Sequence, residues 1–345
     1  MKAFRFKEWK KPAQLEDVPV PDPRPGEVLI RIGGAGACHS DLHIMHEFDP
    51  ASLPGLDGWQ LPITLGHENA GWIEAGDISA YPHLELGAPV VVSPTWSCGV
   101  CAPCRQGATN YCEQEHLAGG IGRDGGLAEY MVAPAQTLVP LANLEPWKAA
   151  PLTDAGLTSY HAVKRCLPLL TPDATAVVIG AGGLGHMAIQ VLRELSGCQI
   201  IVVDTNEDAR KMAGDLGAHV CLPSDDTTAA EIRKATGGLG ATVILDFVGI
   251  DATLALAAQS ARQRGEIVLI GIGGGTFPFQ FGALPYACSL VTTYGGSTGE
   301  LVELVALAET DRIHPHIEEF PLDQVGTVYE RLHRNEISGR AVLRP

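Results

Sequence analysis

The chain has 345 residues, 46% hydrophobic and 19% charged, with 40 glycines and 24 prolines. That length exceeds what one hydrophobic core fills, so two domains are predicted, and the composition is that of a turn-rich globular protein. A formal charge of −16 repels phosphate backbones and anionic lipid, which sets nucleic acid and membrane surfaces aside as partners.

The opening Met1–Glu8 has no apolar core of signal-peptide length, and no stretch reaches the roughly 18 apolar residues of a membrane span. A soluble, cytoplasmic protein is predicted, in a reducing compartment where clustered cysteines bind metal more often than they pair. Of nine cysteines, Cys166, Cys198, Cys221 and Cys288 are scattered and read as structural.

Residues 1 to about 150 read as short strands broken by turns, with β-branched runs at Val28–Ile32 and Pro89–Val92. Within this region Cys98, Cys101, Cys104 and Cys112 form C-x2-C-x2-C-x7-C. Four thiolates so spaced can close a tetrahedron around zinc with no open position, a structural rather than a catalytic site. Ferredoxin-like iron–sulfur spacing fits less well. There the fourth cysteine follows three residues and precedes proline, whereas here seven intervene and Glu113 follows.

The texture then changes. A strand at Thr175–Ile179 leads through glycines into a helical run from Leu184 to Leu195, and further strands are predicted at Gln199–Asp204, Thr242–Phe247 and Glu266–Ile270. Apolar strands alternating with helices define an α/β, doubly wound parallel sheet. The last fifty residues return to mixed sequence and end on the strand-like Arg340–Leu343.

Gly180-Ala181-Gly182-Gly183-Leu184-Gly185 matches G-x-G-x-x-G between strand and helix, and Asp204 closes the next strand 19 residues after Gly185. In that context the motif marks a dinucleotide site rather than a bare βαβ turn. Gly180 makes the tight turn, Gly182 lets backbone approach the pyrophosphate, Gly185 lets helix meet strand, and the helix N-terminus faces the anion. Asp204 would accept the adenosine ribose hydroxyls and repel a 2′-phosphate. No arginine follows it directly, so NAD is expected over NADP.

A second constellation is looser. Cys38-His39-Ser40-Asp41-Leu42-His43 crowds a thiol, two imidazoles, a hydroxyl and a carboxylate into six residues; Gly66-His67-Glu68-Asn69-Ala70-Gly71 adds a His–carboxylate pair; Asp154 lies further on. A catalytic zinc needs three protein ligands and an open position, which Cys38, His67 and a carboxylate would supply. Spacing alone does not join these segments.

Taken together, Gly36–Asp41, Gly66-His67-Glu68-x-x-Gly71, the four-cysteine lobe and the glycine turn, in that order, resemble the medium-chain, zinc-dependent alcohol dehydrogenase family over essentially the whole chain. The resemblance extends in particular to its bacterial NAD-dependent secondary-alcohol dehydrogenases. It implies a GroES-like β-barrel catalytic domain formed by both chain ends around a central Rossmann domain. The implied divisions are 1–153 with a metal lobe at about 95–115, 154–292, and 293–345. It also implies two zinc ions per chain, with Asp154 as third ligand of the catalytic one beside Cys38 and His67. Glu68 would lie beneath that zinc, Asp41 would orient His67, and Arg340 would contact a cofactor phosphate.

On the same basis Ser40 would take the alcohol proton and pass it by way of the cofactor ribose to His43, as hydride moves from the alcohol carbon to the nicotinamide. His39 is placed at the pyrophosphate, while Trp96 and Tyr294, more weakly Trp59, are placed in an apolar substrate pocket. The expected substrates are alcohols, aldehydes and ketones, and the expected assembly is a homotetramer, with a dimer as alternative. One departure stands out: Gly295–Gly299 lacks the arginine that relatives carry there, which implies weaker cofactor binding or a roomier pocket. A zinc-poor quinone or enone reductase of the same superfamily would lack the cysteine lobe and the Cys38–His67 pair. A zinc-ribbon binding module would not need an intact catalytic ligand set.

Overall fold

The computed structural model describes residues 1–48, 59–114 and 118–345. The chain forms two compact units, one of residues 1–157 and 295–345, the other of residues 158–294.

The first unit is built on strands. A sheet runs in the order Leu138–Pro140, Pro89–Val92, Glu68–Gly76, Glu27–Ala37, Arg340–Arg344, Ile317–Pro321, and Tyr130–Pro134 also pairs with Glu27–Ala37. A smaller sheet joins Gln14–Asp17, Lys2–Phe6 and Ile63–Thr64. Phe6, Ile30, Leu65, Leu127 and Met131 lie in its common core, which supplies the main driving force for this unit.

Two pairings matter for function. Gly36 lies opposite Glu68, and Ala37 lies opposite Ala341. The ends of three strands therefore converge on Cys38, His67 and Arg340, which are adjacent in chain order to those pairs. Gly36 is required by this crossing, since a Cβ there would overlap the Glu68 carboxylate. Directly after Ala37 comes the helix His39–His46, whose N-cap is Cys38 in extended conformation. Asp41, at the third helical position, accepts the Cys38 backbone N–H at 3.1 Å, the local interaction that begins a helix here.

The second unit is a six-stranded parallel sheet in the order Val220–Leu222, Gln199–Val203, Thr175–Ile179, Ala241–Asp246, Ala261–Leu269, Ser289–Thr292. By position in the chain this is 3-2-1-4-5-6, the order of a dinucleotide-binding fold, with its switch point after Thr175–Ile179. The core strands are buried over their whole length, as a sheet covered on both faces requires. No helix among the described residues is long and apolar enough to cross a membrane.

Candidate active site and metal centres

In the first unit, Cys38, His67 and Asp154 bring one ligand atom each within 4.8 Å of one another. The Asp154 carboxylate oxygen Oδ2 is 3.4 Å from His67 Nε2 and 3.6 Å from Cys38 Sγ. These separations are long for hydrogen bonds to nitrogen. They match the edges of a tetrahedron with metal–ligand bonds of about 2.0–2.3 Å, roughly 3.3–3.8 Å.

Two of the donors are buried, Cys38 at 4% and His67 at 2% exposed, and Asp154 is partly exposed. Burial alone would lower the proton affinity of His67. The Asp41 charge, with the Asp154 and Cys38 side chains close by as acceptors, instead raises it well above the ordinary range. An anionic surround that favours a proton favours any cation at Nε2, so the donor set fits zinc.

A layer of support lies behind the ligands. Asp41, fully buried, places Oδ1 3.4 Å from His67 Nδ1. Neither atom has a hydrogen bond elsewhere. Glu68, also fully buried, accepts from Ala155 N–H at 3.0 Å and from Arg340 Nε at 2.9 and 3.0 Å. Burial pushes the Glu68 carboxyl up to about 7 against the pull of Arg340. Arg340, expected at a cofactor phosphate, turns inward: Nη2 donates to Glu68 at 2.5 Å and to Asp154 at 3.2 Å.

The helix His39–His46 carries the remaining polar groups. Ser40 Oγ is 3.4 Å from Cys38 Sγ. His43 Nδ1 lies 2.6 Å from Glu47, and its ring stacks on Phe48 at 6.3 Å. Glu47 was not singled out in the sequence, although its i, i+4 spacing from His43 was the available signal. His39 is exposed, with the surrounding chain desolvating it in part. That desolvation, with Arg340 and His43 nearby, pushes it down to about 4, so it meets neutral pH as an uncharged donor.

The four lobe cysteines also gather within 4.8 Å of one another, and none forms a disulfide. Backbone N–H groups of Val100 and Cys101 donate to Cys98 Sγ at 3.5 and 3.4 Å, and that of Cys98 donates to Cys112 Sγ at 3.4 Å. Burial pushes the Cys104 thiol up to about 12, while backbone N–H groups lower that of Cys101. This set also fits zinc.

In the second unit, Gly180 adopts φ +86°, and a Cβ at Gly185 would strike the Gly180 carbonyl. At Gly182 a Cβ would meet no protein atom within 4 Å. Space beside Gly182 is left for something other than protein, which fits a bound pyrophosphate. Asp204 Oδ2 accepts the Ala181 N–H at 2.7 Å, tying the end of the second strand to the turn. Arg210 reaches back from the next helix to the carbonyls of Asp204 and Thr205 at 2.8 and 2.9 Å. Reading only the residues directly after Asp204 had missed this cation.

The aromatic residues expected in one pocket fall in different units. Trp96 lies in the first, with the Arg123 guanidinium 5.7 Å from its ring centroid. Trp59, also there, packs on Trp9 at 5.4 Å. Tyr294 belongs to the second and is 56% exposed.

A parallel sheet of the dinucleotide-binding order in one unit, and two groups of side chains able to hold a metal in the other, are the parts of a zinc-dependent, nucleotide-dependent oxidoreductase. The model of the alcohol dehydrogenase GroES-like domain matches residues 24–143, and that of the zinc-binding dehydrogenase matches residues 183–310. The D-arabinose 1-dehydrogenase (NADP(+)) of Saccharolobus solfataricus is 36% identical, the match covering 100% of this chain and 97% of the relative. An NAD-dependent alcohol dehydrogenase of Sulfurisphaera tokodaii is 36% identical, with 100% of each chain covered. The crystal structure of the Aeropyrum pernix alcohol dehydrogenase aligns with a TM-score of 0.92 at 35% identity, covering 100% of both chains. The chain belongs to the medium-chain, zinc-dependent alcohol dehydrogenase family.

Proposed function

We propose that this zinc-dependent alcohol dehydrogenase holds its reactive ion on Cys38, His67 and Asp154 and interconverts hydrophobic primary or secondary alcohols with aldehydes or ketones, using NAD. The convergence of three ligand atoms from distant segments carries the reading. Three protein donors leave a fourth position for substrate, whereas Cys98, Cys101, Cys104 and Cys112 fill a second, structural site completely. The bound zinc supplies Lewis acidity toward an alcohol or carbonyl oxygen, and NAD supplies the hydride acceptor.

The chain's own residues handle the proton. Ser40, next to Cys38 Sγ, accepts it from the alcohol, and His43 is the base at the outer end of the relay. Glu47 engages His43 Nδ1, which leaves Nε2 as the accepting nitrogen. Asp41 and Glu68 stay behind the ligands, Asp41 orienting His67 through its second ring nitrogen. Asp154, where a thiolate is the other option, makes the ligand set harder. His39 is available to a cofactor phosphate as a neutral imidazole, and Trp96 lends apolar surface to the substrate.

Purified chain should hold two zinc ions and form NADH with aryl and alkyl alcohols in an absorbance screen that also includes quinones and enones. Reduction of quinones or enones alone, by a chain with one zinc, would overturn the reading.

NAD preference rests on the charge of Asp204, with Arg210 close to the same turn. Asp204→Asn keeps an acceptor for Ala181, gives up the bond that Oδ1 accepts from the Asn206 N–H, and removes the charge that repels a 2′-phosphate. It should raise the NADP-to-NAD ratio of kcat/KM by at least about tenfold, the value of one charged hydrogen bond of roughly 1.5 kcal/mol. Adding Arg210→Ala should erase most of that gain. An unmoved ratio in the single variant removes Asp204 from cofactor discrimination.

A cytoplasmic location agrees with nine free cysteines. For assembly, a homotetramer is proposed, with a dimer as the alternative; the edge strand Ser289–Thr292 offers one interface that either would use. The segment before it exposes Phe279 at 74%, Phe281 at 92% and Tyr286 at 68%. A second copy covers such an edge and its apolar flank in the way soluble proteins require.

A further inference from the structure

The helix Val325–His333 brings one residue to the metal centre from 288 positions along the chain. Tyr329, 4% exposed, donates its hydroxyl to Asp41 Oδ2 at 2.7 Å. The Cys38 backbone N–H donates to the same oxygen at 3.1 Å. Two donors on Oδ2 leave Oδ1 for His67 Nδ1, the buried atom it faces at 3.4 Å. Neither of those facing atoms has a hydrogen bond elsewhere, so the carboxylate has one orientation that serves all three groups.

We propose that Tyr329 is a positioning residue of the metal centre, fixing the Asp41 carboxylate so that His67 presents Nε2 to the ion. This rests on the reading that Cys38, His67 and Asp154 are ligands. Stacking on Phe4 at 5.6 Å and 14° holds the phenol ring from the opposite side. Burial and the Asp41 charge push the hydroxyl well above its ordinary range, so it remains a donor throughout the working pH range.

Without the hydroxyl, Asp41 keeps only one tie on Oδ2 and turns more freely, and His67 loses orientation and basicity. Loss of a group behind a ligand costs about 10–100-fold in metal affinity. Tyr329, one bond further out, belongs at the lower end.

The test follows zinc release from the full chain into a colorimetric chelator, which needs no turnover. Wild type should show two phases, and Cys38→Ser should abolish the one belonging to this site. Tyr329→Phe should accelerate that phase about tenfold and leave the four-cysteine phase unchanged. Asp41→Asn is a second variant that does not depend on how Tyr329→Phe folds. There Tyr329 and Cys38 claim the amide oxygen and turn the NH2 toward His67, so release should accelerate again, and adding Tyr329→Phe should not worsen it. An unchanged phase in Tyr329→Phe, equal acceleration of both phases, or wild-type release from Asp41→Asn each overturns the role of Tyr329. A wild-type chain with no Cys38-dependent phase overturns the ligand reading instead.

Discussion

Cys38→Ser should lower zinc content from two ions per chain to one and reduce kcat by about 10³–10⁴-fold, while leaving the fold intact. The loss follows from removing a charged sulfur from a site with only three protein donors. Lewis-acid stabilisation by such an ion is worth several kcal/mol, and each 1.4 kcal/mol or so is tenfold in rate. Serine is the informative replacement because Cys38 is also the N-cap of the helix His39–His46, at φ −120° and ψ 153°. Serine is among the residues favoured at that position, and Asp41 keeps its bond to the backbone N–H of residue 38. Helix and metal can therefore be separated: unchanged circular dichroism with one zinc lost is the expected pair of results. Cys104→Ser supplies the contrast. It should lose the other zinc and destabilise the lobe while a residual Cys38-dependent activity persists. An active Cys38→Ser chain that retains both ions would contradict the ligand assignment.

How much of this was legible in the sequence depended on how far apart the interacting residues lie. The four lobe cysteines fall within fifteen residues, and the glycine turn and Asp204 fall within one βαβ unit, so local spacing carried both. Cys38, His67 and Asp154 could not be joined from spacing. Their meeting depends on the Gly36–Glu68 register of two strands and on the turn Ala150–Thr153 that delivers Asp154; a family resemblance supplied the link. Arg340 meets Glu68 and Asp154 across 272 and 186 residues, and Tyr329 meets Asp41 across 288; no local pattern distinguishes either residue. Arg210 was missed for a different reason. A helix starting at Glu207 folds its side chain back toward Asp204, a geometry invisible to a search of adjacent positions. The strands Val220–Leu222 and Ser289–Thr292 were also unmarked, since apolar stretches of two or three residues are too short to show a strand's pattern.

The return of the C-terminal strand sets up the second large effect. Arg340, 3% exposed, is the cation beside fully buried Glu68, and it also touches Asp154. Arg340→Met preserves much of the side-chain volume and removes the charge, which leaves Glu68 with the Ala155 N–H as its remaining partner. Breaking a buried pair in this way costs at most about 3–5 kcal/mol, the upper end applying above pH 7, where Glu68 holds its charge. At roughly 2–4 °C per kcal/mol for a unit of this size, the melting temperature should fall by about 10 °C. The double variant Arg340→Met/Glu68→Gln should recover most of the loss, because neither charge then remains buried alone. Zinc binding should respond in the opposite direction. Removing a guanidinium 3.2 Å from the Asp154 oxygen makes the cluster more anionic, so added zinc should restore part of the stability by mass action. Calorimetry of the single and double variants, with and without added zinc, checks both signs. A single variant as stable as its parent would show that Glu68 does not depend on Arg340 for its charge.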